Sequence, residues 1–406
     1  MTMSNVMKPS LRLSPYKDDW EKFVLKDKAS FSTGHGYSKN DLRTVGKPII
    51  LYGRLYTNYE TIIRDVDTFV IEQPNSILSK GGEIIIPSSG ETAEDISVAS
   101  MIAKAGIIIG GGLNIIRTDE IEPAFLALLL TFGKPHQDLA KSAQGKTIVH
   151  LYNQDISQVD IVIPKTKEEQ RTLAYFVDKM DSMIIRTEKE LSKLQEVKKA
   201  YRSMLFPRPG EKQPRLRFKG FTEDWTKKNL GECFTERPER STNGELLSVT
   251  QSSGIKRFSE IGRHDNSNIA SGNYKVVKCG DIAYNSMRMW QGANGWSPYD
   301  GIVSPAYTVI VPKENVSSLF FSFLFKKPEI IHLFRINSQG LTSDTWNLKF
   351  PAFSKIEVYC PNSFEEQNEI ANFLMSIDTL ISTYSRRIEK FRHIKSACLD
   401  GMFVNE

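Results

Sequence analysis

Residues 285–292 read NSMRMWQG, a short stretch that carries Asn285, Ser286, Arg288, Trp290 and Gln291 together. These are the side-chain types that read base edges: Arg pairs with guanine, Asn or Gln with adenine, and Ser or Thr with either. Upstream, SVTQSSGIKR adds Thr250, Gln251, Lys256 and Arg257. In the first half, RLYTNY offers Arg54, Tyr56 and Asn58, PSSGET offers Ser88, Ser89 and Thr92, and KSAQGK offers Lys141, Gln144 and Lys146. The late NSQGLT adds Gln339 and Thr342. Lysines, arginines, hydroxyls and amides of this kind also contact phosphates. For any one of these positions, an ordinary polar loop with an aromatic packed inward is an equal reading. In NSMRMWQG the balance shifts toward function, because Met and Trp beside Arg and Gln solvate a turn poorly.

Other chemistry is missing. The six histidines (His35, His136, His150, His264, His332 and His393) are scattered, with neither H-E-x-x-H nor a metal-ligand spacing. QGKT at 144–147 ends like a phosphate-binding loop, but the required earlier glycine is Ala140 and the second copy has Leu341 in place of lysine. GGG at 110–112 lacks the later glycine of a dinucleotide fingerprint. No N-P-P-[YF] or D-P-P-Y methyltransferase loop occurs, nor a nuclease signature, nor G-x-S-x-G. Together these absences favour a binding protein with no metal of its own.

The elements that must position the loops come as a repeat. EEQRTLAYF at 168–176 returns as EEQNEIANF at 365–373, an offset of 197. Phe176, Asp181, Ile184, Lys198 and Phe206 meet Phe373, Asp378, Ile381, Lys395 and Phe403. Each half also opens alike, PSLRL and DDWEKFVL against PRLRF and EDWTKKNL, and each carries a late loop, SAQGKT against NSQGLT. After each E-E-Q, apolar residues step alternately by three and four: Leu173, Val177, Met180, Ile184, Leu191 and Leu194, then Ile370, Leu374, Ile377, Ile381, Ile388 and Phe391. Such alternation is a coiled-coil seam. It predicts two helices of about 40 residues, roughly 60 Å each, the first stopped by Pro207. Two such helices in one chain pair most simply with each other, antiparallel. Lys198 and Lys395 interrupt the seam in both copies, either fixing register or snorkelling past Val197 and Ile394.

Between these frames the bodies are mixed α and β. Strands are expected in KPIILYGRLY, GEIIIP, GIIIGGG, KVVKCGDIAYNS, GIVSPAYTVIV and KIEVYC, and helices in PAFLALLLTF and SLFFSFLF. FLALLL reads as one face of a core helix. The expected organisation is a recognition body at 1–166, a long helix at 167–206, a second body at 207–363 that opens on a linker at 207–217, and a second long helix at 364–406. The fold class is α+β, with two mixed α/β bodies, an antiparallel helix pair and a pseudo-two-fold repeat.

The bulk properties agree. The chain has 406 residues, 40 % hydrophobic and 25 % charged, and a net charge of +5 that leans toward polyanions. Its four cysteines form no C-x-x-C pair, which fits a reducing cytoplasm. The opening MTMSNVMKPS has no apolar signal core, and no apolar run suits a membrane span.

Two variable bodies, each followed by a long helix opened by E-E-Q, resemble the specificity subunit of type I restriction-modification enzymes. The phrases that carry the resemblance are P-x-L-R-[FL], D-W, GDIAYNSMRMWQG, GIVSPAYTV, AQGKTIVHL and EEQRTLAYF. The resemblance implies two target-recognition domains held apart by the helix pair, each reading half of a split site in double-stranded DNA, without catalysis by this chain. It implies two partner methyltransferase subunits that methylate adenine with S-adenosylmethionine. Two ATP-driven translocase-nuclease subunits, which would use ATP and Mg, can also join. The rival readings are a coiled-coil scaffold for proteins and a self-sufficient DNA-modifying enzyme.

Overall fold

The structure, a computed structural model, describes residues 7–143, 145, 148–251, 254–262, 273–342 and 345–404. It divides into two compact units, one of residues 1–189 with 385–406 and the other of residues 190–384. Each unit therefore owns part of both long helices, which run over Lys167–Met204 and Phe364–Met402.

In the first unit, strand Glu21–Val24 pairs antiparallel with Asp160–Ile163, so the opening phrase lies beside the strand that leads into the helix. The main sheet centres on Ile84–Pro87, which pairs antiparallel with Leu113–Arg117, Ile86 facing Asn114. A second sheet has Lys47–Ile50 between Phe69–Val70 and Ala105–Ile109. The second unit repeats the scheme. Thr226–Asn229 pairs with Glu357–Cys360, and Ile282–Asn285 pairs with Tyr307–Pro312, Tyr284 facing Thr308.

Two sequence expectations change. KPIILYGRLY is a strand only to Ile50, and Arg54–Thr57 forms a helical turn. Helix Pro123–Phe132 is buried from Ala124 through Thr131, on every face rather than one. A helix apolar all round must be enclosed, and this one sits under both the sheet and the first long helix, sharing a core with Trp20, Ile84, Leu173 and Val177. Its counterpart Ser318–Leu324 shares a core with Trp225, Ile282, Ile370 and Leu374.

The repeated phrases build one buried node twice. The Arg12 guanidinium donates two hydrogen bonds to Glu169, at 2.8 and 2.9 Å, and the Trp20 indole donates a third at 3.2 Å. Arg217 donates two to Glu366, both at 2.8 Å, and Trp225 a third at 3.3 Å. The next residue works the same way in both copies. Gln170 donates to Pro164 O and accepts from Glu122 N; Gln367 donates to Pro361 O and accepts from Ser317 N. In this way E-E-Q ties the opening segment, the exit strand and the body helix to the first turn of each long helix. A carboxylate this deeply buried is tolerable only because all its partners are present.

The helices pair antiparallel in each unit. In the first, Asp181 bonds Lys395 and Glu188 bonds Arg392. In the second, Lys198 bonds Asp378, and Tyr201 meets Phe373 at 4.9 Å between ring centroids. Lys198 and Lys395 are thus ion-paired across the seam, and each also lies over a body-helix ring, Phe323 or Phe132, at 5.8 Å. The seam residues Leu173, Val177, Met180, Ile184, Ile370, Leu374, Ile377 and Ile388 are buried, while Leu191, Leu194, Ile381 and Phe391 are half-buried. The first turns of each helix pack into a body core as well as toward the partner helix, so the three-four pattern reads burial in general.

Candidate nucleic-acid interface

The turns that leave the two central strands occupy equivalent corners. In the first unit, Ser88 O accepts from Leu151 N at 3.1 Å; in the second, Ser286 O accepts from Leu348 N at 2.8 Å. Leu151 and Leu348 both follow the Q-G-x-T loop. Each corner is therefore a strand-exit turn docked on the segment after that loop. The loop glycines are obligatory: Gly145 and Gly340 have φ of 140° and 150°. A Cβ would come within 1.9 Å of Ile148 O at the first and 2.7 Å of Thr345 O at the second. These shared residues hold the corner in place. Of the sequence-selected loop residues, Gln144 and Lys146 lie outside the described residues. Gln339 is exposed and exchanges backbone bonds with Asn347, and Thr342 bonds Thr345.

The second corner is rigid. Asn285 Oδ1 accepts from Met287 N at 3.0 Å, and the Trp290 indole donates to Met287 O at 3.0 Å. Met289 is fully buried, and Gly292 closes the turn at φ 80°. The Gln251 side chain donates to Gln291 O at 2.8 Å. Lys326 donates to three carbonyls, Gln251 O at 3.0 Å, Gly292 O at 2.6 Å and Asn294 O at 2.8 Å. All three ammonium protons are thereby used, although burial, helped by Arg202 and Lys198, pushes this lysine down to about 8. The Trp290 ring packs edge-on against Trp346 at 5.2 Å.

Of the sequence-selected residues here, Ser286 is buried and its hydroxyl bonds that of Thr308 at 2.8 Å, so it braces the corner. The Thr250 hydroxyl donates to Gly254 O within its hairpin. Arg257 is engaged by Glu245 at 3.3 Å and lies over the Tyr299 ring. Lys256 is exposed on the same hairpin. The side chain of Arg288 makes no hydrogen bond, ion pair or ring contact among the described residues.

The first corner differs in chemistry. Tyr56 donates to Ser89 O at 2.6 Å and packs edge-on against Tyr52; burial, with Tyr52 and Asp95 adding, raises its phenol well above the usual range. Ser89 pairs with His150, whose ring stacks on Tyr152 at 6.0 Å. Arg54 is held by Glu60 at 2.7 Å, Asp67 at 3.0 Å and Asp65 O at 3.1 Å, so it is committed internally. Thr92 accepts from Asp95 N as the cap of a short helix, Asn58 ends the helical turn, and Lys141 faces Asp138 at 3.6 Å. Tyr52, His150, Tyr152 and Trp346 were not singled out from sequence. One available signal was that three of them lie just past the repeated loop. Among the described residues no cluster of His, Cys, Asp and Glu could hold a metal, and no helix is long and apolar enough to cross a membrane.

The duplicated frame has a match. Residues 17–199 and 222–390 both fit the type I restriction modification DNA specificity domain. The chain belongs to the type I restriction-modification specificity family. No curated protein matches this family member. Among solved structures it is similar to the type I restriction-modification S subunit of M. genitalium, at 14% identity and a TM-score of 0.64, over 98% of this chain and 100% of that one. A chain from a study of complex assembly and conformational transition of the type I R-M system aligns at 15% identity and a TM-score of 0.49, covering 95% and 98% of the two chains. The HsdS subunit of Thermoanaerobacter tengcongensis aligns at 15% identity and a TM-score of 0.45, covering 96% and 98%. The first of these shares the fold of this specificity-family chain from end to end.

Proposed function

We propose that this chain is the non-catalytic recognition subunit of a cytoplasmic type I restriction-modification complex. On this reading, the bodies at 1–166 and 207–363 each read one half of a split, asymmetric site in double-stranded DNA. The carrying observation is the pair of equivalent corners, Ser88 on Leu151 and Ser286 on Leu348, which hold unlike side chains on one frame. Two unlike readers need an asymmetric site, and half-sites about one helical turn apart, roughly 34 Å, face the same side of DNA.

The helices would act as the spacer and help to dock two methyltransferase subunits. Support for docking comes from apolar residues left exposed at repeat-related positions. Met183 and Leu380 are 43% and 47% exposed, and Val197 and Ile394 are both 40% exposed. Antiparallel pairing places Met183 near the level of Ile394 in the first unit and Val197 near that of Leu380 in the second, one apolar pair per unit. Two copies of one partner would find two equivalent faces there. S-adenosylmethionine, ATP and Mg belong, on this reading, to the partner subunits.

The spacer idea is tested by lengthening both helices by four residues, about 6 Å, in cells that carry the cognate methyltransferase. The unspecified gap between methylated half-sites should change. An unchanged gap would refute a ruler.

A further inference from the structure

We propose that Arg288 is the guanine-reading residue of the second domain, an inference that rests on the DNA-recognition reading above. Three arginines in the candidate loops could read a base. Arg54 is engaged by Glu60 and Asp67, and Arg257 by Glu245 and the Tyr299 ring. A guanidinium already held by carboxylates must break those bonds to reach DNA. Arg288 has no such contact among the described residues.

Its backbone, in contrast, is fixed from both sides. Arg288 N donates to Asn285 O at 3.0 Å, and Arg288 O accepts from Gln291 N at 2.9 Å and Ala293 N at 3.2 Å. The next residue, Met289, is anchored in the core. Lys326 and Gln251 fasten the far side of the turn through the carbonyls of Gly292 and Gln291. A rigid turn that presents one uncommitted guanidinium suffers little ordering cost on binding. The planar fork of arginine matches O6 and N7 of guanine through two hydrogen bonds, the most frequent specific contact in the major groove. Lys256 is also uncommitted among the described residues, but a flexible ammonium on a hairpin suits a phosphate better than a base.

The test uses the full chain assembled with its methyltransferase. Binding is measured to a cognate duplex and to duplexes carrying each other base at every half-site position in turn, with thermal melting of the complex alongside. The wild-type assembly should demand guanine at one position of one half-site. Arg288→Ala should lower that preference roughly 5- to 150-fold, the range for one bidentate pair, with melting unchanged and every other position read as before. Arg288→Lys should retain part of the preference. Base preferences untouched by Arg288→Ala, or lost together with a lowered melting temperature, would overturn the assignment. A wild-type assembly with no base preference at all would instead defeat the recognition reading itself.

Discussion

The Arg12–Glu169–Trp20 node and the Arg217–Glu366–Trp225 node agree in every partner and, to within about 0.1 Å, in every bond length. The corners at Ser88–Thr92 and Ser286–Gly292 agree in one anchoring bond and in almost nothing else. One presents tyrosines, a histidine and small hydroxyls. The other presents an arginine, a glutamine and two tryptophans. On the proposed reading the frame positions while the corner discriminates, so substitutions in the two classes should separate cleanly.

Frame substitutions should act alike in both halves and mainly on stability. Glu169→Ala and Glu366→Ala each leave a partly buried arginine and a buried indole unpaired, and each should cost about 3–5 kcal/mol in urea unfolding. A large loss from one and a negligible loss from the other would break the equivalence of the nodes. Gly145→Ala and Gly340→Ala force a Cβ into backbone at a φ that disfavours L residues, and each should cost about 1–3 kcal/mol. Similar losses from the two would strengthen the comparison.

Corner substitutions should diverge. Trp346→Ala removes the edge-on partner of Trp290 and should cost about 0.5–1.5 kcal/mol beyond its lost area, with altered reading confined to one half-site. Arg54→Ala should lower stability by about 1 kcal/mol and leave both half-sites as read, the opposite of Arg288→Ala.

The smallest effect concerns pH. Lys326 has its folded value pushed down to about 8 from an ordinary 10.5. Between those values the unfolded chain holds the proton and the folded chain does not, so this group makes folding more favourable as pH rises through that window and less so as pH falls through 8. The melting temperature of the wild type minus that of Lys326→Met should therefore increase from pH 7.5 to pH 9.5. A flat difference would mean that the three carbonyls hold the ammonium against its burial.

Much of this frame was legible in the sequence. E-E-Q, D-W and the arginine of P-x-L-R recur as phrases because they bond one another, and the three-four spacing recurs because both helices bury one stripe. The seam lysines were legible as a pair but not as ion pairs, since Asp378 and Asp181 lie on the other helix and the match needs the antiparallel register. Less of the corner could be read. NSMRMWQG stood out, yet its composition could not separate Met289, which goes to the core, from Arg288, which does not. Arg54 had Glu60 and Asp67 a few residues away, but only the folded chain from Asn58 to Asp67 brings those two acids and the Asp65 carbonyl around it. Trp346 escaped notice because the Leu348–Ser286 bond, not sequence proximity, sets it against Trp290. FLALLL looked amphipathic only because its burial on the remaining face is supplied by elements far along the chain.

The central claim is that one frame carries two independent readers. It is tested most directly by replacing residues 1–166 with those of another specificity subunit and mapping methylated adenines across the genome beside the parent chain. The account predicts a new sequence in one half-site, with the other half-site and the gap retained. Alteration of both half-sites by that single exchange would contradict it.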